Sequence, residues 1–134
     1  MMFFAKPPVA LCFGAFFLCA ATCAHSDALA TAPLGLASDW IAGIVLIIGG
    51  VVSARDWLDG RQYQVVGWAF MTSVLLHSFL GNLSDLLTHA PDAGGSSGLV
   101  ALPLAHYLVI VGLLLAVSIA GLWTTLAMSK RRGH

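Results

Sequence analysis

The stretch WIAGIVLIIGGVVSARDWLDGR, residues 40–61, decides the fold of this chain. Residues 40–54 carry no charge, and a short turn follows in which Arg55 and Arg61 flank two aspartates. The Asp59-Gly60 pair within it favours a break between two helices. Apolar runs of about 20 residues recur along the chain, which is the length that crosses a ~30 Å hydrocarbon core. The sequence therefore predicts an all-α, multi-pass integral membrane protein.

The basic residues all fall on one side of the membrane in this arrangement. Lys6 precedes the first apolar run, Arg55 and Arg61 flank the turn, and residues 130–132 (KRR) lie at the C-terminus. Lysine and arginine favour the cytoplasmic side. We therefore predict a bacterial cytoplasmic (inner) membrane protein with its mature N-terminus outside and its C-terminus in the cytoplasm. A eukaryotic secretory-pathway membrane would satisfy the same charge rule.

The composition excludes several classes of protein. The chain has 134 residues, of which 59% are hydrophobic and only 9% are charged, and its mean hydropathy is +0.91. A soluble domain carries about 25% charged residues. No basic stripe suggests a nucleic-acid partner, and the chain lacks a P-loop, an H-E-x-x-H and a G-x-S-x-G motif. We therefore expect contact with the lipid bilayer, and the sequence favours a non-catalytic role over an enzymatic one without deciding between them.

The first 30 residues resemble a secretory signal. Lys6 forms a basic start, residues 9–24 are apolar, and Ala28-Leu29-Ala30 is an A-x-A cleavage signature. Cleavage after Ala30 would leave a mature chain without cysteine, because all three cysteines lie in the removed segment. The alternative is an uncleaved first transmembrane helix, which would give a four-helix bundle.

The remaining residues, 31–134, are predicted to form a single domain of three transmembrane helices. The linker 31–38 contains Pro33 and Gly35, which discourage helix, and residues 91–98 (PDAGGSSG) form a flexible outer loop. The predicted helices cover about 37–54, 62–87 and 102–128.

Polar residues of the second of these helices concentrate in its outer half. His77, Gly81, Asp85 and His89 are four residues apart, so they share one face of an α-helix. A polar stripe at membrane depth does not favour lipid, so it should face another helix or a water-filled vestibule. His106 faces it from the outer end of the last helix.

These side chains suggest a site near the outer face. His77 and His106 are candidate ligands of a b-type haem, and a divalent metal would draw on the larger set of His77, Asp85, His89 and His106. A proton relay is a third option. The haem option is weakened by depth, because axial ligands of one iron need nearly equal depth and His106 lies closer to the surface than His77. The simplest alternative is that His77 only makes a hydrogen bond between helices.

Small residues mark surfaces on which helices pack closely. The candidates for helix packing are Gly49, Gly50, Gly112, Ala116 and Ala120. Three helices without an extramembrane domain should assemble as a homo- or hetero-oligomer. The sequence therefore favours a non-catalytic accessory or structural subunit within a larger membrane complex. The alternative is a small transport or redox-cofactor protein that uses the His/Asp cluster.

Overall fold

The protein is a bundle of long helices. The computed structural model describes residues 6–26, 33–55, 60–88 and 103–130, nearly all of which are helical. The helices are α1 (Pro7–Ala24), α2 (Pro33–Ala54), α3 (Gly60–Thr88) and α4 (Leu104–Lys130). Each of the four is long and apolar enough to cross a membrane. The predicted all-helical membrane class is therefore confirmed.

The number of spans depends on α1, which the sequence assigned to a cleaved signal. The structure contains α1 as the first of four candidate spans. The expected cleavage point after Ala30 lies outside the described residues, so cleavage stays a prediction. The predicted outer loop 91–98 and most of the turn after Arg55 also lie outside them.

Proline lies at the beginning of three of the four helices. Pro7 and Pro8 occupy the first turn of α1, where a missing N–H costs no hydrogen bond. Pro33 begins α2 in the same way, so the predicted non-helical linker is wrong from residue 33 onward. Pro103 directly precedes α4, and its carbonyl oxygen accepts hydrogen bonds from the N–H groups of His106 and Tyr107 (3.0 and 3.1 Å).

Glycines bring α1 and α2 into close contact. A Cβ atom added to Gly14 would lie 3.0 Å from the carbonyl oxygen of Gly43, and one added to Gly43 would lie 2.6 Å from Cγ of Leu18. Gly50 lies against Leu11 in the same interface, where an added Cβ would approach its side chain to 3.0 Å. Because neither helix carries a side chain where Gly14 meets Gly43, the two backbones approach closely there.

The interface between α2 and α3 uses the same device. A Cβ on Gly49 would lie 2.7 Å from the carbonyl oxygen of Tyr63, and one on Gly67 would lie 2.8 Å from Cα of Leu46. Gly49 and Gly50 therefore lie in two different contacts of α2, one towards α3 and one towards α1.

The interface between α3 and α4 is built around Trp68, which is fully buried. Its indole ring lies over Gly121, where an added Cβ would come within 2.6 Å of the ring. The ring of Phe13 in α1 also lies near the indole, with 5.3 Å between the centroids. Nearby, the hydroxyls of Thr72 and Ser118 are 2.8 Å apart and form a hydrogen bond. The two helices run antiparallel.

The bundle has one basic end. Arg61 at the start of α3 donates a hydrogen bond to the carbonyl oxygen of Met128 near the end of α4 (3.1 Å). Lys6 precedes α1 and Arg55 follows α2, so both lie at this end as well. We call it the basic end, and we call the opposite end, where α1 and α3 end and α2 and α4 begin, the His25 end. Which of them faces the cytoplasm stays a prediction.

Candidate functional site

The predicted polar stripe of α3 points away from the bundle. His77 and Asp85 are both exposed, and a Cβ added to Gly81 would meet nothing within 4 Å. His89, the last member of the stripe, lies outside the described residues. The predicted stripe thus faces the surroundings of this chain along its described part.

His106 is also exposed, but it lies at another height from His77. The Thr72–Ser118 hydrogen bond sets the register of α3 and α4. His77 lies five residues beyond Thr72, whereas His106 lies twelve residues before Ser118. At 1.5 Å per residue, the two histidines differ in height by about 10 Å.

This offset does not favour one ion bound by both histidines. Among the described residues, no group of three or more His, Cys, Asp or Glu side chains could hold a metal ion. The predicted haem site of His77 and His106 stays a prediction, without support from the register. The predicted metal site of His77, Asp85, His89 and His106 also stays a prediction, and the same register places His106 close in height to Asp85.

The small residues predicted for packing on α4 do not form one common surface. Gly112 lies under the ring of Phe79 in α3, with 3.3 Å between an added Cβ and the ring. Ala116 is exposed and Ala120 is half-buried. Within this chain, Gly112 is thus occupied by a neighbouring helix, while Ala116 is free to meet another molecule.

A different set of polar side chains meets at the His25 end. The backbone N–H of His25 donates to the carbonyl oxygen of Ala21 (3.0 Å) and closes the last turn of α1. Its ring atom Nε2 lies 3.1 Å from the hydroxyl oxygen of Tyr107 in α4. The two rings meet edge to face at 79°. This hydrogen bond joins the end of α1 to the start of α4.

Two further side chains complete what we call the polar cluster, namely His25, Asp39, Ser78 and Tyr107. The Ser78 hydroxyl is a hydrogen-bond partner of Tyr107, which is only 9% exposed. The carboxylate of Asp39 is half-buried, and it interacts with the Ser38 hydroxyl and electrostatically with His25. Each of the four chain segments that reach this end therefore contributes one member.

The polar cluster borders a cavity of about 240 Å³. Most of the wall is apolar and comes from α1, α3 and α4. Its apolar residues include Phe17, Ala21, Val74, Leu75, Val111 and Leu114. No lysine or arginine contributes to the wall within the part of the chain that the structure describes.

The mouth of the cavity lies between α1 and α4. α1 packs chiefly on α2, and α4 packs chiefly on α3. Cys23 of α1 and Ile110 of α4 both line the cavity and are both exposed. The cavity thus reaches the surface of the bundle along the seam that the His25–Tyr107 hydrogen bond closes at one end.

Sequence reasoning did not find this cluster, because its members looked unremarkable one by one. His25 lies in the polar stretch just before the A-x-A signature, and Tyr107 is an aromatic residue near a helix end, where the membrane interface favours it. The one available signal was topological: if α1 is counted as a span, residues 25, 39, 78 and 107 all fall at the same end of an up-and-down bundle.

The four apolar helices and their single basic end define a multi-pass membrane protein. Comparison of the chain with protein-family models, with curated proteins and with solved structures found no match.

Proposed function

We propose that this protein is a non-catalytic accessory or structural subunit that packs within a larger membrane complex. One observation carries the proposal: the polar stripe of α3 is exposed on the isolated chain. Its members His77 and Asp85 point outward from a helix of membrane-spanning length, as does Ser73, which lies one turn before His77. Polar side chains in such a helix face protein or a water-filled cavity rather than lipid.

His77 is the member of the stripe that most needs a partner. It lies eleven residues, or about three turns, before the end of α3 at Thr88. At that distance an imidazole does not reach the interfacial water as easily as Asp85 does. A hydrogen-bonding group on a neighbouring helix offsets the cost of placing His77 in hydrocarbon. Exposed Ala116 on α4 stays a predicted contact of the same assembly.

We also propose that α1 is retained and that the chain spans the membrane four times. The close contact of Gly14 with Gly43 supports retention, because it packs α1 tightly against α2. With Lys6 and the C-terminal bases on the cytoplasmic side, both termini of the uncleaved chain lie in the cytoplasm. Cleavage after Ala30 would instead leave the N-terminus of the mature chain outside.

The assembly is tested by native mass spectrometry of the protein released from its own membrane in a mild detergent. We expect the wild-type chain in a particle heavier than the 14.0 kDa monomer. His77→Leu should move most of the protein to the monomer, because leucine is stable against lipid and offers no hydrogen bond to a partner.

Ile44→Leu is the matched control. Ile44 is 47% exposed on the apolar surface of α2, and its replacement should leave the assembly intact. A wild-type chain that is released only as monomer would contradict the proposal. So would a His77→Leu variant that assembles as fully as the wild type.

A further inference from the structure

We propose that the cavity between α1 and α4 binds a small lipophilic cation, with the positive head group at Asp39 and the apolar part among the side chains of α1, α3 and α4. This binding site is separate from the exposed stripe of α3 on which the proposed assembly rests. It does require that α1 be retained, because α1 forms one wall of the cavity.

The size and lining of the cavity limit the ligand. At about 240 Å³ it is slightly smaller than the ~300–1,000 Å³ pockets that hold drug-sized molecules. Its wall is apolar apart from the polar cluster at the His25 end. An aryl or short alkyl group fits this description, and a long-chain lipid does not.

The charge of the site favours a cation. Asp39 supplies the carboxylate of the cavity wall, and within the described residues no lysine or arginine there neutralises it. The lysine and arginine side chains described in the structure lie at the opposite end of the bundle, about the length of a helix away. His25, which interacts electrostatically with Asp39, is the ionisable basic neighbour within the described wall, and a ligand ammonium would add a permanent positive charge beside the carboxylate.

Aromatic rings add to this preference. Phe17 and Tyr107 both line the cavity, and a cation near the face of an aromatic ring gains about 0.5–2 kcal/mol. The Tyr107 hydroxyl is already held by His25 and Ser78, so the ring has a fixed position. A site with a carboxylate and a fixed ring suits a substituted ammonium ion better than an anion or a neutral polar group.

The route of entry agrees with a lipophilic ligand. The mouth of the cavity lies between α1 and α4, where exposed Cys23 and Ile110 border it. A seam between two membrane-spanning helices opens towards the bilayer, in which lipophilic cations accumulate.

The binding experiment uses benzyltrimethylammonium as the probe and the full-length protein in an uncharged detergent. Intact mass is measured first, to show that residues 1–30 are present. Equilibrium dialysis with the radiolabelled probe should give saturable binding at one site per chain. Asp39→Asn should weaken this binding at least tenfold, because it removes the charge and keeps the shape of the side chain.

Two controls make the result specific. Asp85→Asn removes a carboxylate from the exposed stripe of α3, outside the cavity wall, and should leave binding unchanged. Neopentylbenzene, the uncharged carbon analogue of the probe, should compete at least tenfold more weakly than unlabelled probe. Thermal unfolding of each variant without ligand shows whether it is folded.

Three results would overturn the proposal: no saturable binding of the cation to the full-length chain, equal binding to folded Asp39→Asn, or competition by the neutral analogue as strong as that by the cation. These results are independent of oligomeric state. Failure of the cation site therefore leaves the proposed subunit role unaffected, and loss of assembly in His77→Leu leaves the cation site unaffected.

Discussion

At the scale of single residues, stability depends on where the backbone has room for a side chain. Gly121 has none, because an added Cβ would lie 2.6 Å from the indole of the fully buried Trp68. Gly81 on the neighbouring helix has ample room, since nothing lies within 4 Å of its added Cβ. Two glycines in membrane-spanning helices of the same chain thus have opposite tolerance for one methyl group.

We therefore predict that Gly121→Ala destabilises the protein by about 1–3 kcal/mol, the usual cost of overpacking. Gly81→Ala is the control. It should be neutral or stabilising by up to ~1 kcal/mol, because alanine loses less backbone entropy in a helix than glycine does. The midpoint of thermal unfolding in the same detergent measures both variants. Equal midpoints for the two variants would show that Trp68 does not lie over Gly121.

At the scale of helices, one partly buried hydrogen bond marks the register of α3 against α4. The Thr72 hydroxyl donates to the carbonyl oxygen of Trp68 at 2.8 Å, so its proton is engaged within α3. Ser118, which is fully buried, is therefore the donor in the 2.8 Å contact between the two hydroxyls. This contact places the two middle portions of the helices side by side.

Ser118→Ala should cost about 0.6 kcal/mol, the average for a hydrogen bond between membrane helices. Ser73→Ala, at an exposed position one residue from Thr72, should change stability by less. Unfolding of both variants in a denaturing detergent provides the comparison, and Thr72→Val combined with Ser118→Ala closes a double-mutant cycle. A coupling energy of zero would mean that the two hydroxyls do not meet.

Helices could be predicted from the sequence where one strong physical effect, the burial of apolar side chains in lipid, determines their position. Length and hydropathy correctly predicted that α2, α3 and α4 are helices long and apolar enough to span a membrane. The predicted beginning of α2 was wrong. Pro33 was interpreted as a helix breaker, but a proline in the first turn of a helix leaves no hydrogen bond unmade.

Contacts between helices were harder to predict from sequence. Gly49 and Gly50 were recognised as small residues of one helix, but Gly14 and Gly43 form their contact across two helices. Spacing along one helix cannot reveal such a pair. The four-residue period also grouped His77 with Asp85 on one face, yet it could not say that this face points outward, since direction depends on which neighbours cover the rest of the helix.

At the scale of the whole molecule, α1 connects the fold with both proposals. It lies on α2 through Gly14 and Gly43, supplies Phe13 to the surroundings of Trp68, and places His25 against Tyr107. Removal of residues 1–30 would expose the glycine surface of α2 and leave Tyr107 without its hydrogen bond to α1. Loss of this contact would cost packing free energy, because close backbone packing, rather than hydrophobicity, holds helices together in lipid.

We therefore predict that the protein in its membrane retains residues 1–30. The protein purified from its membrane should have the intact mass of the uncleaved chain, 14.0 kDa. N-terminal sequencing should not find a chain that begins at Thr31. Ala28→Leu with Ala30→Leu, which removes the small residues that a signal peptidase requires, is the matched control. Wild type and this variant should have the same chain length after purification. Cleavage would be established if the wild-type chain began at Thr31 while the variant kept its first 30 residues. The mature protein would then have three spans and would lack the α1 wall of the cavity.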